Sequence, residues 1–520
     1  MHPIASRLAK SLTRTQRAIL STDLESIPTW THGLAGTAGL PSPLSSQQVK
    51  EKSPTELLQF VAKFEPGDPD EVTGLMGSIR DAASQSYRWS MDLAHLMVSR
   101  GIWVADLWGA VISAWRQLDL DDRQWEEVLK FLTSNDQVVK LSVYEVSQLL
   151  DGGTKGTDHD IPLSTLTIAK IVATNTRLAS EHTDSNRENA EDWLFLAIHH
   201  PAGTLVTFWL RAVSKARREV GDAWKGLPND DKGFLEQVIT GKSYAAELGR
   251  IVITSQAHFL FSTDEEWAIC NVIPLFDMKA DRKQAIQAWH GFVVWGTWDN
   301  RLLEHLLPKY VDAFPELHSG FGKAWDGFCS QLAGIAAFGK ADPIESGWLI
   351  EFVRVVTEAE RVRWAATFGQ VLSGMEEASK DALWKRWLDR YWRDRVEGIP
   401  VQVTESEGGE MTGRSISLRI AFPEVVDRIL RTPIPDLKGS FILTELNDSG
   451  LPQRHPEATA SLVLHVLQHA NSLPWDTRGI HPLIRKLAAS AETTATVRQI
   501  CDELARLGDP TAAELWKLAD

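Results

Sequence analysis

Apolar residues recur three and four positions apart along almost the whole of this 520-residue chain, while runs alternating with period two are nearly absent. That pattern confines the chain to helices with a buried face, because only a 3.6-residue period brings such positions together. The segments "SMDLAHLMVSR", "VADLWGAVISAW", "QWEEVLKFL", "LSTLTIAKIVATNTRL" and "ESGWLIEFVRVV" all follow it. The best alternating run is "RSISLRIAF" (414–422), too little to build a sheet. Strand is therefore expected in fewer than about a tenth of residues. The fold class is all-α.

Helix starts share one form, a polar cap, often a proline, then an acid: "SPTELLQF", "DPDEVTGL", "DPIESGWL", "FPEVVDRI", "HPEATASL" and "DPTAAELW". Proline suits the first helical position, where its missing N–H had no partner, and the acids face the positive end of the helix dipole. Breaks are expected at 31–48, 151–163, 182–190, 404–413 and 447–456, where glycine, proline and small polar residues cluster. Helices of ten to twenty residues then follow one another through short turns. No strict period repeats, so consensus repeat families are not indicated. The architecture that fits is an irregular, solenoid-like array of antiparallel helix pairs.

The chain carries 54 Lys and Arg against 69 Asp and Glu, a net charge of −15. An acidic surface repels phosphates, which argues against nucleic acid as a partner. Cys270, Cys329 and Cys501 are odd in number and far apart, so neither a disulfide framework nor a cysteine metal site is indicated. A reducing cytoplasm fits that usage. No uncharged apolar run reaches the ~18 residues of a membrane span. The N-terminus, "MHPIASRLAKSLTRTQRAILST", reads as a basic amphipathic helix with Ile4, Leu8, Leu12 and Ile19 roughly on one side, a composition that an organellar transit peptide shares.

One stretch, "DALWKRWLDRYWRDRVEGIPV" (381–401), interleaves tryptophans with basic residues as a single-stranded nucleic acid groove does. Its helical projection favours structure. Trp384, Trp387, Leu388 and Tyr391 share one side, and Leu383, Trp392 and Val396 widen it past half the circumference, as in a helix covered on several flanks. Ser379 is the expected cap, with Gly398 and Pro400 as the stop. Lys385, Asp389, Arg393 and Glu397 form an expected i,i+4 ladder, with Arg390–Asp394 as a further rung. Arg395 alone points into the apolar sector, to lie over Trp392 or meet a carboxylate from a neighbouring helix.

Other motifs carry little chemistry. "GLAGTAGLPS" (33–42), with Gly33 and Gly36, is like a sirtuin glycine loop, and "VATNTRL" (172–178) is like the sirtuin Asn motif. The first lacks a preceding strand and the second lies in a helical run, so neither indicates dinucleotide binding. His465 and His469 stand one turn apart without a third ligand, and "DHD" (158–160) with His199 and His200 hints at a phosphohydrolase whose other ligands are not assignable. These histidines define one alternative, a metal-dependent hydrolase. Arg211, Lys215, Arg217 and Arg218 define another, a nucleic-acid-binding solenoid. No nucleophile elbow, P-loop or paired-cysteine motif occurs, so no catalytic, cofactor or metal residue is assigned and a non-enzyme is expected.

A family resemblance enters through "AIQAWHGFVVWGTWDNRLLEHLLPKY" (285–310), "AWDGFCSQLAGIAA" (324–337), "RVRWAATF" (361–368), "LWKRWLDRYWRDRVEGIPV" (383–401), "FPEVVDRI" (422–429) and "HPEATASLVLHVL" (455–467). These resemble the helical domain of unknown function 4020, found after sirtuin-like NADase modules in bacterial anti-phage defence proteins, and "HHPAGTLVTFWLRAVS" (199–214) is similar to the stretch upstream of it. The likeness covers about 190–470 and rests on aromatic spacing. In that family the sirtuin-like module degrades NAD once a phage component is sensed, and the helical region is the sensor. This sequence departs from the pattern in showing no sirtuin catalytic module, so no catalytic residue carries over. The resemblance implies a non-catalytic recognition or scaffold protein, with a phage component or an effector subunit as protein partner and the effector missing or on another chain. The expected organisation is a helix and loop over 1–50, a helical array over 51–262, the family-like domain over 263–440 and a helical cap over 441–520.

Overall fold

The computed structural model describes residues 40–157, 159–181, 192–436, 441–473 and 477–517. The amphipathic segment at 4–19, Gly33 and Gly36 lie outside the described residues. Every regular element among those described is helical, which bears out the all-α reading, and "RSISLRIAF" is the end of a helix, a 3-10 turn and a bend rather than a strand. The chain divides into two compact units, Met1–Leu275 and Phe276–Asp520.

In the first unit one row of helices carries the core. Helices α1 (Pro69–Ala83), α2 (Ala105–Trp115) and α3 (Val143–Gly152) pack side by side; α4 (Leu166–Ser180) lies off this row, and α5 (Pro201–Val220) and α6 (Tyr244–Ser255) continue it. Each row member packs on the next across the intervening helices, as stacked helix pairs do. Their starts, at 69, 105, 143, 201 and 244, are unevenly spaced, which is why no fixed period is visible in the sequence. Two of the six starts cap as read: Ser53 and Glu56 form a reciprocal capping box ahead of Pro54, and Asp68 accepts from the Asp70 amide at 2.9 Å ahead of Pro69; the helices from Phe422, Pro456 and Ala512 begin without a side-chain cap. A buried polar knot ties α4 to α5. Asp231, fully buried, accepts from Lys170 Nζ at 2.5 Å and Trp209 Nε1 at 2.8 Å, while Trp209 stacks on Phe234 at 3.7 Å.

Asp106 and Glu145 occupy the first turns of α2 and α3, which pack together. A helix N-terminus ordinarily favours a carboxylate by about 0.3–1 kcal/mol. Here burial, and then the negative charge of Glu145, outweigh it and push the Asp106 carboxyl up to about 7; burial also raises Glu145. Asp106 Oδ2 is buried without a hydrogen-bond partner among the described residues. The folded chain thus holds a proton that the unfolded chain releases near pH 4. This contribution to stability is present in acid and is lost as pH rises through about 7. Relative to wild type, Asp106→Asn is expected to be more stable at pH 8 than at pH 4 by on the order of 2 kcal/mol, the difference building up between about pH 4 and pH 7. Urea denaturation at the two pH values checks it; a pH-independent difference between the two proteins contradicts it.

The second unit repeats the scheme. Helix α7 (Arg282–Trp295) is followed by α8 (Asn300–Ala313), and α7 packs on α9 (Ala324–Phe338), α9 on α10 (Glu358–Ser373) and α10 on α12 (Glu405–Arg414), with α11 (Asp389–Val396) between the last two in sequence. Helix α13 (Phe422–Ile429) packs on α14 (Pro456–Gln468), and α14 on α15 (Thr494–Arg506). An aromatic chain fills this core. Trp289 meets Tyr310 at 4.3 Å, Tyr310 meets Phe328 at 4.9 Å, Phe314 meets Phe352 at 5.3 Å, Trp364 meets Phe368 at 5.2 Å, and Phe368 meets Trp387 at 5.3 Å.

Three expectations are corrected by the structure. The break expected at 404–413 is helix α12, started by a capping box between Thr404 and Glu407. Gly408 serves packing: a Cβ there would fall 1.9 Å from the Pro433 carbonyl oxygen. The helix carrying Trp384 begins at Glu377, so Ser379 is not its cap, and Gly398, at φ +82°, ends it as expected. The ladder of Lys385, Asp389, Arg393 and Glu397 does not form. Trp384–Leu388 is a π-helical turn, which takes Lys385 out of i,i+4 register with Asp389; the later pairs lie on one regular helix and fail because their members have other partners. Lys385 pairs instead with Asp381 at 2.6 Å, Asp389 with Arg428 at 3.3 Å, Arg390 with Asp342 at 3.1 Å, and Arg393 with Asp394 at 3.4 Å. The apolar side is as read, with Leu383, Trp384, Trp387, Leu388, Tyr391 and Trp392 all buried and Val396 half-buried.

Candidate functional site

The histidine sites suggested by the sequence do not assemble. The His465 and His469 rings lie 4.6 Å apart, tilted at 59°, but His469 Nδ1 is 2.9 Å from the His465 carbonyl, and burial, reinforced by His469, lowers the His465 pKa. His200 caps α5, its Nδ1 accepting from the Ala202 amide at 3.1 Å, while His199 lies against Phe195 at 4.2 Å. The His159 carbonyl accepts from Trp125 Nε1 at 2.8 Å and Asp160 holds the Gly156 turn at 2.7 Å; Asp158 lies outside the described residues. Among the described residues no group of three or more His, Cys, Asp or Glu could hold a metal ion. The "VATNTRL" stretch lies within α4, in keeping with its helical period.

The basic face of α5 is largely used within the chain. Arg211 pairs with Asp151 at 2.6 Å, Lys215 donates to the Ile161 carbonyl at 2.7 Å, and Arg217 donates to Ser262 and Thr263 at 3.0 Å; of the four, Arg218 is the exposed one. Stacking platforms need open cations and open rings. The tryptophans of 381–401 are closed off, and three of these four cations are engaged.

What the second unit does offer is a groove of about 520 Å³. One bank is a single stripe of α8, at Asn300, Leu303, Glu304, Leu307, Pro308 and Val311, recurring at helical spacing over three turns. The floor and far bank come from Ile335 on α9, the Gly339–Ala341 turn, Ser346 and Trp348. Leu303, Ile335 and Trp348 are buried; Glu304, Pro308 and Lys340 are exposed, putting opposite charges on opposite banks. Pro308 lacks an N–H, so the Glu304 carbonyl loses its usual intrahelical donor at the groove wall.

The far bank is pinned. The Lys340 amide donates to Asn300 Oδ1 at 2.7 Å, Asp342 accepts from the Ile344 and Glu345 amides at 2.8 and 3.0 Å, and Arg386 donates to the Gly339 carbonyl at 3.2 Å. Arg390 grips both Asp342 oxygens at 3.1 Å. The "DPIESGWL" signal therefore caps a turn, and the helix itself starts after Gly347, at φ +78°. Arg386 and Arg390 are held in place by the buried tryptophan face of their own helix. The segment that resembles a nucleic acid platform thus fixes the shape of an apolar groove.

A buried charge cluster locks α10, α11 and α12. Glu407 Oε1 accepts from Arg361 Nε at 3.1 Å and from Arg395 Nη2. Arg361 also donates to the Val356 carbonyl at 2.8 Å and Arg395 to the Val401 carbonyl. Arg395 thus meets a carboxylate from a neighbouring helix, one of the two fates its position implies. Burial pushes the nearby Tyr391 hydroxyl up to about 12, with Arg395 pulling against it.

Fold and site together define an all-helical protein whose second unit carries a preorganised apolar groove. Residues 342–474 match the model of a family described as Domain of unknown function (DUF4020). The matched region supplies Ser346 and Trp348 of the far bank, Asp342 and the two arginines that pin it, and the buried charge cluster, while Ile335 and the Gly339–Ala341 turn precede it. No curated protein and no solved structure matches the chain. No helix among the described residues is long and apolar enough to cross a membrane.

The groove residues are dispersed between 300 and 348, and no motif in the sequence joins them. Pro308 inside an otherwise regular helical pattern is the one available signal, since an interior proline leaves a carbonyl to be satisfied elsewhere.

Proposed function

We propose that the chain is a non-catalytic recognition and scaffold protein, the sensing part of a bacterial anti-phage defence system that acts with an NAD-degrading effector supplied outside these residues. The observation that carries the reading is the family match over 342–474, which includes Ser346 and Trp348 of the groove and the Asp342, Arg386 and Arg390 that pin its far bank. The recognition part draws support from that groove, whose banks are ordered before anything binds, so that little ordering entropy opposes association. The defence part and the protein partner, a phage component or the effector itself, rest on the family resemblance.

The test uses the native locus, with its neighbouring reading frames, in a phage-sensitive host. Plating efficiency of a phage panel and cellular NAD after infection are compared with and without this chain. Protection and NAD loss are expected to require it. Protection that survives deletion of the chain, or a locus that protects against none of the panel, overturns the reading.

A further inference from the structure

The partner class of the groove follows from its geometry. We propose that it receives an amphipathic helix of a protein partner, with an apolar stripe flanked by a basic residue on one side and an acidic residue on the other; this rests on the recognition reading above. The α8 bank runs from Asn300 to Val311, about 16 Å at 1.5 Å per residue, a length matching three turns of a docked helix. Leu303, Leu307 and Val311 recur at spacings of four, the arrangement that interdigitates with anchors at i, i+4 and i+7. A volume of about 520 Å³ accommodates a few such side chains rather than a whole domain face.

Charge selects among helices. Glu304 stands on the α8 bank with the carbonyl that Pro308 leaves without its donor, so that wall offers acceptors. Lys340 stands on the other. A purely basic or purely acidic helix meets one like charge; a helix with one sign on each flank meets none. Opposed rim charges contribute more to choice of partner and association rate than to affinity, so the expected signature is a ranking.

Three peptides of about sixteen residues share one leucine stripe. Their flanks carry lysine on one side and glutamate on the other, lysine on both, or glutamate on both. Binding to the full chain is read by fluorescence anisotropy at low salt. The mixed peptide is expected to bind at least ~5-fold tighter than either other, whichever way it lies. Glu304→Lys makes both banks basic and is expected to move first place to the glutamate-flanked peptide. Leu307→Asp is expected to abolish all three with the far-UV circular dichroism unchanged.

Equal binding of the three peptides, or an order that Glu304→Lys leaves intact, overturns the proposal. So does a wild-type dimer in light scattering that Leu307→Asp dissolves, since the occupant is then a second copy. The same Leu307→Asp change in the phage locus separates the two levels. Lost protection with no peptide preference refutes the amphipathic helix alone, whereas retained protection refutes recognition through this groove.

Discussion

Glu407→Ala is expected to cost about 3–5 kcal/mol of folding stability, the usual consequence of removing one partner from a buried ionic cluster. Glu407 is 3% exposed, Arg395 1% and Arg361 8%, so both guanidinium groups would be left charged and out of water. Neither escapes by losing its proton, because arginine stays ionised in proteins. Their remaining bonds, to the Val356 and Val401 carbonyls, satisfy hydrogens without neutralising charge. The cluster itself need not stabilise the fold relative to apolar side chains, since desolvating three charges offsets most of their attraction. Replacing all three residues together, Glu407→Leu with Arg361→Met and Arg395→Met, is therefore expected to recover most of the loss. Urea denaturation of the single and triple variants decides it. A loss below about 1 kcal/mol for Glu407→Ala would mean that water reaches the cluster.

The cluster also marks how far the sequence can be read. Arg395 is legible as an anomaly, one cation in an apolar sector, because helical projection assigns faces without knowing the neighbours. Its partner is not, because Glu407 lies in "TESEGGEMTG", where three glycines and several small polar residues signal a break. One of them, Gly408, meets the Pro433 carbonyl too closely for any side chain. Composition cannot distinguish a glycine that frees the backbone from one that admits another segment. The side-chain ladder fails for two reasons: one π-helical turn at Trp384–Leu388, which no residue type in "WKRWL" announces, separates Lys385 from Asp389, and Asp389 and Arg390 are drawn to Arg428 and Asp342, distant in sequence. The apolar face survives the shift because it is broad enough to tolerate the rotation, whereas ion pairs depend on single positions. The groove is illegible as a site because its banks meet only when α8 and the 339–348 segment pack.

Trp387→Ala carries the second large effect, expected at about 3–5 kcal/mol. The ring is fully buried, 5.3 Å from Phe368 and 6.1 Å from Tyr391, in a core built of other large aromatics that cannot easily collapse into the space. A loss of stability alone would not distinguish cavity formation from loss of a polar contact, and Trp387→Phe does. The Trp387 indole Nε1 is buried without a hydrogen-bond partner among the described residues, so phenylalanine removes an unsatisfied donor while keeping most of the ring. It is expected to cost less than half as much as alanine, because relief of the donor offsets part of the lost area. Arg386→Ala supplies the opposite contrast. Arg386 is exposed and donates one bond to the Gly339 carbonyl at 3.2 Å, so its loss is expected to shift stability by about 0.5 kcal/mol. That bond pins the groove bank, so the arginine variant should fold normally and lose affinity for a groove ligand, while Trp387→Ala unfolds early. A normal melting curve for Trp387→Ala, with salt-sensitive oligonucleotide binding lost in both Trp387→Ala and Arg386→Ala, would instead make "WKRWLDRYW" a stacking surface and reverse its assignment as core.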